Sequence, residues 1–186
     1  MGNKIKVYLD TSVISYLDQQ DAPEKMQETR EVWEYLKTGQ YDIYISDIVL
    51  DELGKCKEDK LKILISHLRQ LSYHVIQTDE KSIELAEKFI DFGVLKRKSF
   101  DDCRHIAAAI LAGCDIIVSW NFKHIVNVRT IRGVRAITKI EDIHKIREYH
   151  YELTKDMTLQ EKLDFYNEGG RAFLREMKER KLRSNM

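Results

Sequence analysis

Cysteine is scarce in this chain, and what there is cannot crosslink in an ordered way. Cys56, Cys103 and Cys114 are odd in number and never fall in a CxxC spacing. That excludes a disulfide framework and a cysteine zinc site, and it fits buried thiols in a reducing compartment. Long apolar runs are missing too. No stretch reaches transmembrane length, and the opening "MGNKIKVYLD" has no apolar segment as long as a signal peptide requires. Lys6 stands where a myristoylation signal needs Ser or Thr. These absences predict a soluble, cytoplasmic protein with no membrane partner. Net charge is also absent, since 31 Lys and Arg balance 31 Asp and Glu. Bulk charge therefore does not announce nucleic-acid binding.

What is present points to a folded enzyme-sized domain. The chain has 186 residues, 43% of them hydrophobic, with nine tyrosines and two tryptophans. This suffices for one domain with a full core and an appendage. Charge is distributed unevenly. Between Asp115 and Glu141 there is no acid, whereas Lys123, Arg129, Arg132, Arg135 and Lys139 all lie there. Such a stripe binds phosphates on a neutral protein, or is an ordinary solvated face.

Strand and helix patterns alternate along the first 140 residues. "KIKVYLD", "YDIYIS", "YHVIQ" and "CDIIVSW" read as strands, and "GVRAIT" as a fifth. Between them lie "PEKMQETREVWEYLKTG", with Trp33 and Leu36 facing a core, "DIVLDELGK" capped by Ser46 or Asp47, "EDKLKILISHLRQL", and a helix capped by Thr78 or Asp79. A further helix runs from about Asp101 to Ala112 and is ended by Gly113. The order predicts an α/β domain with a mostly parallel sheet. Residues 141–186 differ: they are polar and helical throughout, with no strand candidate and no repeat. The boundary is placed near residue 140, giving a domain over 1–140 and a helical extension over 141–186.

Ligands of parallel sheets gather beyond the carboxyl ends of the strands. Asp10 ends the first strand, Glu52 lies in the helix after the second, Asp102 opens the helix before the fourth, and Asn121 follows that strand. Each has a plain structural reading. Asp10 caps the next helix or serves chemistry, and Glu52 is either a solvent-facing helix residue or part of a site. Asp101 is read as a cap or surface acid, and His105 as a structural or supporting group sharing a helix face with Asp102. Acids clustered without basic partners repel one another, and a divalent cation is the usual compensation. Magnesium takes oxygen ligands and keeps several waters. Such an ion polarises a phosphoryl oxygen and generates hydroxide. An acid-only site therefore suggests phosphodiester hydrolysis more than peptide or redox chemistry.

The segments "VYLDTSVI", "ISDIVLDEL" and "DDCRHIAAAILAGCDIIVSWNFKHI" occur in this order. Together they resemble PIN-domain ribonucleases, in particular the VapC-type toxins of toxin–antitoxin pairs, over roughly residues 4–137. The resemblance implies a three-layer α/β/α fold with a parallel sheet of about five strands, and Mg2+- or Mn2+-dependent cleavage of RNA. It implies Asp10, Glu52 and Asp102 as catalytic acids and metal ligands. Asn121 falls where many relatives carry a fourth acid and is a further candidate ligand, supplying an oxygen but no charge. Thr11 and Ser12 match small hydroxyl positions beside the first acid, Ser119 plays a similar part beside Asn121, and His105 supports the site. Lys123, Arg129 and Arg132 are placed against the RNA backbone.

Two rivals remain at this stage. A haloacid-dehalogenase-like phosphatase needs a second aspartate two residues after the first, and this chain has Ser12 there. A catalytically weak RNA-binding or regulatory module is favoured by Asn121 and by the unusual polar extension. The extension weakly resembles a small helical antitoxin, so the expected partners are RNA and an antitoxin protein, with the extension docking on its own domain or on a homodimer mate.

Overall fold

The computed structural model describes residues 4–139 together with 155, 156 and 158. Four parallel strands organise it: β1 Ile5–Leu9, β2 Tyr41–Ser46, β3 Tyr73–Ile76 and β4 Ile116–Val118, in the order β3-β2-β1-β4. β1 is central, with Val7 paired to Ile43 on one side and to Ile116 on the other. Val7, Tyr8 and Leu9 are consecutive and all buried, as expected of a strand covered on both faces.

The connections supply that cover. After β1 come α1 (Thr11–Ser15), a 3-10 turn (Tyr16–Asp18) and α2 (Pro23–Lys37). After β2 come α3 (Asp47–Gly54) and α4 (Glu58–Leu68), and after β3 come α5 (Glu80–Asp91) and α6 (Phe100–Leu111). The first two crossovers step one way across the sheet and the third steps back. Right-handed crossovers therefore put α1–α4 on one face and α5 and α6 on the other, which makes three layers. Trp33, Leu36, Leu53, Leu64 and Leu68 pack with Tyr8, Leu9, Ile43 and Ile45 in one cluster. Leu85, Phe89, Cys103, Ile106, Ile125 and Ile137 form a second. α6 belongs to both, because Ala108 and Ala109 join the first cluster and Ala107 the second. Its alanines let the helix lie close to the strands. Burial pushes the Cys103 thiol up to about 12 and the Cys114 thiol up to about 11, so neither is a ready nucleophile at neutral pH.

Two expectations need correction. "GVRAIT" is not a fifth strand; residues 128–139 are helical, and the sheet has four strands. Thr130 and Ile137 are buried and Val134 is half-buried, a helical spacing that packs on the α5–α6 side. Gly133 lets this helix approach closely, since a Cβ there would meet Val94 Cγ2 at 2.8 Å. Ser46 does not cap α3 with its side chain: its hydroxyl turns inward to Tyr8. Asp47 does serve the helix start, its Oδ1 accepting from the first-turn Ile48 amide at 2.8 Å, while its Oδ2 ties the loop after β3 to α3 by accepting from the Thr78 amide and hydroxyl. The other caps hold, with Asp79 and Ser82 forming a reciprocal box and Gly113 at φ +66 ending α6. Compact packing of the first unit closes at Ile137. The predicted extension, apart from residues 155, 156 and 158, lies outside the described residues. Among the described residues, no helix is long and apolar enough to cross a membrane.

Candidate metal and active centre

Strand order reverses at β1 and β4, so their carboxyl ends border the crevice where parallel sheets gather ligands. Asp10 follows β1 directly and is 5% exposed. It occupies the N-cap position of α1, yet its side chain makes no cap bond. Its Oδ2 accepts from Ser12 Oγ at 2.6 Å and from Ser119 Oγ at 2.7 Å. The two serines are themselves anchored by the loop after β4: Ser12 Oγ accepts from the Trp120 amide and Ser119 Oγ from the Asn121 amide, both at 2.9 Å. Trp120 is pinned in turn by its indole N–H, which donates to Thr29 of α2 at 2.8 Å. Charge-assisted bonds thus fix one oxygen of Asp10. The other, Oδ1, lies 3.7 Å from His105 Nε2.

His105 gathers the second acid. Its Nε2 is 3.2 Å from Glu52 Oε2, which also accepts from the Thr11 hydroxyl. A nitrogen facing two carboxylates carries the proton, and the network assigns the tautomer accordingly. Nδ1 then accepts from the Tyr8 hydroxyl at 2.7 Å, and that hydroxyl lies 2.7 Å from Ser46 Oγ. A buried chain therefore runs from β2 through β1 to α6 and ends on the carboxylate of α3. Burial pushes the Glu52 carboxyl up, but the bonds from His105 and Thr11 outweigh it and hold its pKa below the usual range. Burial raises the pKa of the Tyr8 phenol strongly, so this group stays protonated.

Asp102 stands in the first turn of α6, three residues before His105 on the same face. It does not cap. Its Oδ1 accepts from Asn121 Nδ2 at 2.7 Å and its Oδ2 meets His124 Nδ1 at 2.8 Å. Asn121 is oriented by chemistry at both ends, because its own oxygen accepts from the His124 amide at 3.0 Å. Burial raises the Asp102 pKa against the opposing help of His124 and Ser99, and the charge of Asp10 raises it further. The neighbouring Asp101 is exposed and pairs with Arg104 instead.

The structure thus brings Asp10, Glu52, Asp102 and Asn121 to one sheet end, with Thr11, Ser12, His105 and Ser119 bonded to them. Lys123 is exposed on the segment after Asn121, and Arg129 and Arg132 are exposed on the following helix. Sequence reasoning missed Tyr8, Ser46 and His124. Tyr8 sits inside a strand that reads as core, and Ser46 reads as a helix cap. His124 carried a signal, the spacing of three from Asn121 in "NFKH".

The donor set is all oxygen and suits a hard divalent ion in kind. Among the described residues, however, no three His, Cys, Asp or Glu side chains form a ready-made cage for one ion. Their oxygens are directed at the serines, Thr11, His105, Asn121 and His124 instead.

A family model described as the PIN domain matches residues 7–124, a segment that contains every acid of this centre. No curated protein sequence gives a significant match. A solved structure similar to the chain is that of VapBC2 from Rickettsia felis bound to a DNA fragment from their promoter. It is 19% identical, with a TM-score of 0.45, and the alignment covers 65% of this chain and 93% of that one. Since the family match extends from β1 through His124 and spans well over half of the sequence, this chain belongs to the PIN-domain family.

Proposed function

We propose that the protein is a metal-dependent ribonuclease, hydrolysing RNA phosphodiester bonds as the toxin of a toxin–antitoxin pair. PIN domains are generally nucleases, and the observation that carries the reading is the convergence of Asp10, Glu52 and Asp102 on the strand switch point with histidines as their basic partners. Asp10, Glu52 and Asp102 would hold the ion, Mg2+ or Mn2+. When bound, it supplies Lewis acidity toward a phosphoryl oxygen and lowers the pKa of a coordinated water. The protein's own part is positioning. Ser12 and Ser119 hold one oxygen of Asp10, leaving Oδ1 beside His105. His105 and Thr11 fix the Glu52 carboxylate in its ionised form, and Tyr8 fixes His105. Asn121 and His124 hold the plane of Asp102. Lys123, Arg129 and Arg132 are proposed to face the RNA backbone.

We take residues 1–140 as the nuclease unit and 141–186 as an extension. Likeness of the motifs to VapC-type toxins supports an antitoxin as partner, supplied by a second protein or by the extension itself, in cis or in a homodimer. The cytoplasm is the compartment this reading requires. The second reading, a catalytically weak RNA-binding module, is favoured by Asn121 and by the outward ties of the acids. Incubating single-stranded RNA with the full chain and Mn2+ separates the two. Cleavage in wild type that is lost in Asp10→Asn supports the nuclease; binding without cleavage in both supports the module.

A further inference from the structure

A groove of about 390 Å³ lies beside the acids, between the α5–α6 connection and residues 123–130. Lys96, Lys98, Lys123 and Arg129 line it, with His124 and Ser99 on the wall toward Asp102. No acidic side chain is among its lining residues. The connection sorts its charges: Arg97, between the two lysines, is tied to Glu87 at 2.6 Å and covers the Phe100 ring. Lys96 and Lys98 are left exposed on the groove, and among the described residues none of its four cations is in an ion pair. Four like charges around one concavity repel one another, and an anion relieves that repulsion. The groove also adjoins the reacting edge, since His124 contacts Asp102 at 2.8 Å and lies 3.4 Å from Ser99 Oγ on the groove wall.

We infer that this groove binds a backbone phosphate of the nucleic-acid substrate, next to the one held at the acids. The inference rests on the ribonuclease reading for the identity of the polymer. It adds two residues, Lys96 and Lys98, from an element remote in sequence from the basic stripe. It also gives the stripe a direction, because Lys123 and Arg129 face the groove and Arg132 does not line it. Held there, a strand enters the crevice along the His124 side.

The test is equilibrium binding of a labelled single-stranded oligoribonucleotide to the full chain in EDTA, by fluorescence anisotropy over a range of salt. Each phosphate contact on a single strand contributes about 0.7 to the slope of log affinity against log salt. Lys96→Gln/Lys98→Gln should reduce that slope by about 0.7, the share of the one phosphate held there, and weaken binding roughly fivefold. Lys96→Arg/Lys98→Arg should keep both. Lys62→Gln, on α4 across the sheet, should leave both unchanged. An unchanged slope in the Gln variant, an equal loss in Lys62→Gln, or no RNA binding by wild type overturns the groove. The parent reading fails separately: wild type that binds with the expected slopes but does not cut RNA with Mn2+ sinks the nuclease and leaves the groove standing.

Discussion

Removing the Tyr8 hydroxyl should unseat the buried chain that holds Glu52. Tyr8 is 0% exposed, and its oxygen lies 2.7 Å from both Ser46 Oγ and His105 Nδ1. Tyr8→Phe keeps the ring and its packing, and strips a partner from two buried polar atoms. A buried group left without a partner costs about 1–3 kcal/mol. The Ser46 hydroxyl can rotate, whereas His105 is held by Glu52, so the two together cost about 3 kcal/mol. For a chain of this size that lowers Tm by about 6–12 °C. Urea unfolding should show a lower midpoint at unchanged m. Ser46→Ala alone leaves His105 as partner of Tyr8 and should cost about 1 kcal/mol. The double variant should fall short of additivity by about 1 kcal/mol, because the two residues share one bond. RNA cleavage should drop in Tyr8→Phe as His105 loses its orientation. A variant within about 0.5 kcal/mol of wild type, or a fully additive cycle, would refute the chain.

Other perturbations follow from the same geometry. Asn121→Asp replaces the amide that donates to Asp102 with a second carboxylate, so metal-free stability should fall by about 1–3 kcal/mol and recover on adding Mn2+. Thermal melts with and without the ion check this, and no apo loss means the pair is misplaced. Glu52 has a depressed pKa, so its contribution is present above the unfolded carboxylate value and lost as pH falls through the folded one. Glu52→Gln should flatten that acid limb in urea titrations; an unaltered limb counts against the His105 and Thr11 bonds. Asp102 has the opposite sign, because its pKa is raised and its contribution is lost as pH rises through the folded value. The stability difference between Asp102→Asn and wild type, both metal-free, should therefore move in the variant's favour from acid to neutral pH, and a move the other way removes the desolvation argument. Ala108→Leu wedges α6 away from the strands, costing about 1–3 kcal/mol and displacing His105. Equal stability and equal RNA cleavage would contradict the close packing assigned to α6.

Much of this was legible in the sequence because local chemistry repeated the global message. Alternating strand and helix patterns gave the α/β class, and strand ends gave Asp10 and Asn121 their places. The fifth strand was misread because "GVRAIT" is β-branched and short, and the helical spacing of Thr130, Val134 and Ile137 shows only when the window starts before it. Ser46 has a cap residue's identity and position, yet a tertiary bond to Tyr8 outcompetes the local one. Pairings such as Tyr8 with His105 join residues 97 apart in sequence, and no periodicity encodes them. The choice of Asp102 over Asp101 rests on the family resemblance; the structure adds a physical difference, exposure and Arg104 for Asp101, Asn121 and His124 for Asp102.

That difference gives the most direct test of the central claim, that the acids at the switch point hold a divalent cation. Calorimetric titration of Mn2+ into wild type, Asp101→Asn and Asp102→Asn should show one binding process in the first two and its collapse in the third. The reason is that Asp102 is half-buried toward the charge of Asp10, while Asp101 is exposed and paired away. Equal affinity in both variants, or no binding in wild type, would contradict the account.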